Sequence, residues 1–147
     1  LKTADSMGYK PVFFGVDGMD GILNIEGFDT SLAEGVMVLT PFAADSANEQ
    51  AKTFIDSYEA AYGATPDQFA ADAYDAMYTL YAATKAAGVT ADTSTEDACE
   101  MLIAAMKDLK ISGVTGMTGE MTWNENGEVN KEPIVVKIVN GAYVTVE

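Results

Sequence analysis

The sequence predicts an α/β fold in which a parallel sheet is flanked by helices and the chain closes on a β-hairpin. Three observations carry this expectation. Apolar runs at 11–15 and 34–42 are rich in β-branched and aromatic residues and end at glycine or proline, the composition of short strands buried on both faces. Such strands belong to parallel sheets covered by helices. Between residues 46 and 109 the apolar positions instead recur at helical spacing, and Asn140-Gly141 near the end is the strongest short-range hairpin signal there is.

Taken in order, Leu1 to Met7 reads as the last turns of a helix that stops at Gly8. With no initiating methionine, the chain is expected to be a piece of a longer protein whose targeting segment is missing. The first strand, Val12 to Phe14, leads into Gly15-Val16-Asp17-Gly18, where an acid sits between two glycines at the carboxyl end of a strand. In open α/β sheets that end faces the ligand crevice. Gly15 and Gly18 allow the backbone to turn and to approach a ligand without a Cβ in the way. From the residues alone, Asp17 is either a ligand-facing carboxylate or a plain turn residue, since Gly-x-Asp-Gly is common turn chemistry.

Met19 to Glu26 reads as a turn of helix ending near Gly27, and Glu34 to Phe42 as a second strand ended by Pro41. Ser46 and Glu49 have capping-box spacing ahead of Ala51, Phe54, Ile55, Tyr58 and Tyr62, so a helix is expected up to Gly63. Thr65-Pro66-Asp67-Gln68 starts the next one, with threonine as cap, and it runs from Pro66 to Ala87 with Gly88 as its stop. Apart from Asp67 this helix carries only Asp72, Asp75 and Lys85 as charges, so it is expected to be largely buried. Carboxylates on such a helix need partners, and neighbouring backbone or side chains would supply them. Phe69 falls in the first turn, where its spacing alone fits a core aromatic better than a ligand platform, although a first turn is also where a buried helix can meet a crevice. Ser94 or Thr95 starts the last helix, with Ala98, Met101, Leu102, Ala105, Met106 and Leu109 as its inward face. Residues 111–116 read as a loop, then come strands at Glu120 to Trp123 and Ile134 to Val139, and the hairpin returns along Ala142 to Val146.

Charge and composition exclude several classes of function. A net charge of −15, with eight basic residues spread along the chain, cannot build a phosphate-tracking surface, so no nucleic-acid partner is expected. No histidine is present to activate a nucleophile, and no Gly-x-Ser-x-Gly or phosphate-binding loop occurs. The lone Cys99, among Ala98, Met101 and Leu102, is expected to be a buried, inert thiol. Asp17-x-x-Asp20-Gly21 and Asn124-x-Asn126-Gly127-Glu128 are fragments of a calcium loop without its alternating series, so no metal or other cofactor is expected.

Four segments in sequence resemble one family: MGYKPVFFGVDGMD, AEGVMVLTPF, QFAADAYDAMYTLYAA and SGVTGMTGEMTWNENGEV. In that order they are similar to the carboxy-terminal part of type I periplasmic solute-binding proteins of the branched-chain amino acid ABC transporter family. The resemblance implies two lobes, each a parallel sheet flanked by helices, which close on a ligand and deliver it to an ABC permease outside the cytoplasm. The chain would then be an incomplete version of that fold. Residues 1–41 would lie in the second lobe, 42–118 would complete the first, 119–132 would cross the hinge and 133–147 would form the second lobe's hairpin. Asp17 stands where the family holds the ligand's α-ammonium, an arrangement favoured by charge-assisted hydrogen bonds. Gly18 adjoins it. Met19 falls where several relatives carry a large aromatic, and Phe69 where branched-chain binders touch the ligand. Asp72 has no counterpart in the classical binders and is either structural or a sign of a more polar ligand. The absence of the first lobe's sheet would leave apolar faces exposed and favour self-association. The competing readings are a receptor's ligand-sensing domain with the same fold and a carboxylate-based enzyme.

Overall fold

The structure is a computed structural model that describes residues 1–146; Glu147, the last residue of the expected hairpin segment, lies outside the described residues. Helix α1 (Lys2–Ser6) precedes strand β1 (Phe14–Gly15), two turns of 3-10 helix at Asp17–Met19 and Ile22–Asn24, and a third at Thr30–Ala33. Strand β2 (Met37–Thr40), helices α2 (Glu49–Tyr62), α3 (Gln68–Ala87) and α4 (Thr95–Lys107), and strands β3 (Lys110–Ser112), β4 (Glu120–Thr122), β5 (Ile134–Val139) and β6 (Ala142–Thr145) follow. The main sheet has the order β1-β2-β5-β6, and β3 and β4 pair separately.

The α/β class and the terminal hairpin stand as expected, but the main sheet is mixed. Only β1 and β2 run parallel, with Phe14 opposite Met37; β5 lies antiparallel to β2, with Val136 opposite Val38, and β6 antiparallel to β5. The Asn140-Gly141 turn, with φ of 53° and 75°, makes β5 and β6 a hairpin, and β5, reached by the long connection after β2, pairs with β2 in the opposite direction. The strands are not buried on both faces either. Phe13 packs against the core and Gly15 is buried, whereas Val12 and Phe14 are 79% and 56% exposed. This alternation is that of a strand covered on one side only.

Two apolar clusters organise the chain. Ala33, Val36, Val38, Ala43, Ile134, Val136 and Ile138 form the first, on the covered face of the main sheet. Phe42, Ala51, Phe54, Ile55, Ala71 and Val114 form the second, between α2 and α3. An aromatic relay joins the two helices: Phe54 lies edge-on to Phe42 at 6.0 Å and against Tyr74 at 4.8 Å. Phe42 directly follows the end of β2, so the chain steps from one cluster to the other within a few residues.

The helices end where the sequence places their stops, with Gly63 and Gly88 both left-handed at φ 68°. Their starts differ. Asn48, not Ser46, caps α2 by accepting the Gln50 and Ala51 N–H groups, and Asp67, not Thr65, caps α3 by accepting the Ala70 N–H. Thr65 instead donates to Glu59 Oε1. The α3 helix buries only a stripe of Gln68, Ala71, Asp75, Thr79 and Ala83, while Met77 and Tyr81 on its other sides are 67% and 64% exposed. The expectation of a largely buried helix is therefore corrected: among the described residues α2, α4 and the segment 113–115 pack against α3, and much of its surface stays exposed. On α4 the expected inward residues are half-buried and none is fully buried. Cys99 is exposed, contrary to expectation, because it lies on the outer flank of that helix. The segment read as a loop at 111–116 begins as strand β3, with Lys110 opposite Thr122.

Candidate functional site

The β1–β2 pair is the one parallel pair in the main sheet, and the crevice of interest opens at its carboxyl ends. Val16 is extended, and Asp17–Met19 then turns as 3-10 helix, which brings Asp17 to the rim. A cavity of about 350 Å³ there is lined by Val16, Asp17, Leu39, Thr40, Pro41, Lys131 and Pro133. Its walls are mainly apolar and bear two opposite charges. Asp17 is exposed and its Oδ1 accepts the Gly18 N–H at 3.0 Å, which leaves lone pairs of the carboxylate free for a ligand.

What holds this turn in place is Gln68, the first residue of α3 and 2% exposed. Its Nε2 donates to the Asp17 carbonyl at 2.6 Å, its Oε1 accepts the Thr40 hydroxyl at 3.0 Å, and its backbone N–H donates to Asp20 Oδ2 at 2.9 Å. One buried amide thus ties together the end of β2, the Asp17 turn and the start of α3. Sequence reasoning missed Gln68, because its position predicts a first-turn helix residue and nothing in the sequence shows which three partners the fold brings to it. In the sequence Asp20 shows only as part of a calcium-loop fragment, whereas in the fold it anchors the start of α3 and accepts the Gly21 N–H at 2.8 Å.

Burial pushes the Asp20 carboxyl above its ordinary value, outweighing the hydrogen bonds from Gln68 and Gly21, and the nearby Asp67 adds to the rise. Tyr143, beside Asp20, is pushed up to about 12, chiefly by burial; its buried hydroxyl closes no hydrogen bond of ordinary geometry. An acid with a raised folded pKa contributes stability that is fully present below its unfolded value, near 3.8, and lost as pH rises through the folded value. In unfolding titrations the stability of the wild type relative to Asp20→Asn should therefore fall as pH rises from below 3.8. A difference that grows with pH would show that hydrogen bonding, not burial, dominates at Asp20.

The other expected site residues fall around the crevice in different ways. Gly18 lies beside Asp17 in the same turn. Met19 turns inward instead and packs on the sheet's core, against Gly15, where a Cβ would collide with its thioether. Phe69 is 53% exposed on the first turn of α3 and lines no part of the cavity. Asp72, one turn further along α3, pairs with Lys131 at 3.1 Å and so adjoins the crevice through that lysine. Lys131 itself was not singled out from sequence. The Asp75 carboxylate is fully committed to structure: it accepts the Val114 and Thr115 N–H groups at 2.8 and 3.0 Å and the Thr115 hydroxyl at 2.5 Å. A larger cavity of about 490 Å³ lies between the α2–α3 turn and the β5–β6 hairpin, and Asp17 has no part in it.

The sequence profile described as periplasmic binding protein matches residues 1–142. The chain belongs to the periplasmic binding protein family. The solved structures agree with this membership. The chain is 25% identical to a leucine-binding protein from Thermotoga maritima over 99% of its own length and 39% of that protein's, with a TM-score of 0.77. A solute-binding protein of an R. palustris ABC transporter in complex with benzoate gives 23% identity, 97% and 36% coverage and a TM-score of 0.75. The branched-chain amino acid transporter substrate-binding protein of Streptococcus pneumoniae, in complex with isoleucine, gives 23%, 98%, 40% and 0.74. Below 25% the likeness concerns the fold alone. A comparison with curated protein sequences finds no match. As a periplasmic binding protein the chain has the type I fold, incomplete, because it spans about two fifths of the length of these structures. Among the described residues no helix is long and apolar enough to cross a membrane.

Proposed function

We propose that this chain is part of the extracytoplasmic solute-binding component of an ABC transporter, and that it helps to hold an amino acid, branched-chain or related, between two lobes for delivery to the permease. The observation that carries the reading is Asp17 at the carboxyl end of the parallel pair, facing a mainly apolar crevice of about 350 Å³. A carboxylate there favours a ligand with an ammonium group, and Val16, Leu39, Pro41 and Pro133 favour an apolar side chain beside it. The same carboxylate disfavours a purely anionic ligand such as benzoate.

Two lobes are supported by the separate apolar clusters and by the clustering of the crossing segments. The Gly116 N–H donates to the Pro41 carbonyl at 2.6 Å and the Met117 N–H to the Glu132 carbonyl at 3.2 Å, so the chain leaving β2 and the chain returning to β5 run side by side. Residues 1–41 and 133–147 are assigned to one lobe, 42–118 to the other and 119–132 to the return. The test is a thermal-shift screen of the full-length protein against the amino acids and benzoate. At a hundred times its Kd a ligand adds about 2.7 kcal/mol of stability, a shift of several degrees. Stabilisation by an aliphatic amino acid and not by benzoate is the expected result. A protein stabilised by benzoate alone, or by no amino acid, does not have this function.

A further inference from the structure

We propose that Gln68 is the latch between the two lobes: its hydrogen bonds join the lobe of the second apolar cluster to the Asp17 turn, and their release sets the rate at which a bound ligand leaves. This rests on the amino-acid reading and the two-lobe division proposed above, and it adds a positioning residue, one that acts on the ligand through Asp17. Gln68 opens α3, within the 42–118 segment, yet its three hydrogen bonds all go to the 1–41 segment: Nε2 donates to the Asp17 carbonyl, Oε1 accepts from the Thr40 hydroxyl and the backbone N–H donates to Asp20 Oδ2. The first N–H groups of a helix have no partner within it. Asp67 caps α3 by accepting the Ala70 N–H, and the Gln68 N–H is taken by a carboxylate from across the boundary. At 2% exposure the amide has little water to turn to while the lobes are together, so these bonds are costly to lose in place.

The surroundings of the latch make its bonds count. The two apolar clusters share no buried member, and the cavity of about 490 Å³ lies between the α2–α3 turn on one side of the boundary and the β5–β6 hairpin on the other. Apolar packing therefore adds little to closure at that place. A second tie, in which the Asp45 carboxylate accepts the Thr145 N–H and hydroxyl at 2.8 and 2.6 Å, is exposed to water and lies beside the Phe42 crossing, where a rotation of the lobes displaces it least. Asp17 joins the latch to the ligand. Its carboxylate lines the crevice and its carbonyl accepts from Gln68, so an ammonium held by the one fixes the turn on which the other depends. Ligand and latch then favour the same closed arrangement, and each strengthens the other. Opening hands Gln68 Nε2 and its backbone N–H to water, and the ligand leaves from the open form.

The experiment is stopped-flow kinetics of L-leucine with the full-length protein. Gln68→Met, which keeps the length of the side chain and removes both of its amide bonds, should release leucine about tenfold faster or more, with an association rate within about threefold of the wild type. Its melting temperature should fall further in saturating leucine than without it. In the wild type the Gln68 backbone amide should exchange with deuterated water at least about tenfold more slowly once leucine is bound. That measurement needs no variant, and it decides by itself if Gln68→Met does not fold. An unchanged release rate, with equal losses of melting temperature in both states, would make Gln68 a structural amide of open and closed forms alike and overturn the latch. Slower association without faster release overturns it too, as does a Gln68 amide that exchanges equally with and without leucine; in each of these cases the wild type still binds and the amino-acid reading stands. A wild type that does not bind leucine overturns that reading and the latch together.

Discussion

Asp17→Ala in the full-length protein is expected to weaken amino-acid binding by about 30- to several-thousandfold. On the proposed amino-acid reading the change removes the carboxylate acceptor of a charge-assisted bond, and loss of one partner from such a pair costs about 2–5 kcal/mol, part of it the penalty of leaving the ligand's ammonium unpaired. Thermal stability of the unliganded protein should change little, because the Asp17 side chain is exposed and bonds only the neighbouring Gly18 N–H. Calorimetry and unfolding of the same preparation separate the two. Equal affinity in wild type and variant would remove Asp17 from the site, and a large loss of stability would make it a turn residue after all.

The opposite pattern is expected for Asp75→Ala. Here the carboxylate is 2% exposed and accepts three hydrogen bonds, so its removal strands the Val114 and Thr115 N–H groups and the Thr115 hydroxyl in the interior. Each unsatisfied buried donor costs about 1–3 kcal/mol, so a destabilisation of about 3–5 kcal/mol is expected after partial relaxation. Gly113 makes the arrangement specific, since a Cβ at that position would collide with the Asp75 carboxylate and with the Met121 methyl. Ligand affinity, measured well below the unfolding transition, should stay within about threefold. A melting temperature unchanged by Asp75→Ala would mean that segment 113–115 is held by something else.

These two acids show how far the sequence could be read. Asp17 stood out because glycines flank it after an apolar run, a signal carried within eight residues. The helix stops at Gly63 and Gly88 and the Asn140-Gly141 turn were legible for the same reason, as each depends on a local φ that few residues adopt. Asp75 was legible only as a carboxylate that needed partners; that they lie some 40 residues away in the 113–115 segment is a property of the tertiary fold. Gln68 and Lys131 were not legible at all. A glutamine after an aspartate, or a lysine in a polar stretch, looks the same whether it faces water or a crevice until the chain is folded. The strand β3 was missed because Lys110–Ser112 is too short and too polar to show alternation.

The antiparallel pairing of β2 with β5 has a consequence for how the protein is made. Val38 and Val136 lie opposite each other although roughly a hundred residues separate them, so the chain must close a long loop before the main sheet exists. Until β5 and β6 have left the ribosome, β2 has only the two-residue β1 as a neighbour, and Val36 and Val38 have no Ile134, Val136 or Ile138 to pack on. The pairing that completes the main sheet around β2 therefore waits for β5. A truncation that removes β5 and β6 should leave β2 without its antiparallel partner and spare the α2–α3 cluster, whose members lie between Phe42 and Val114.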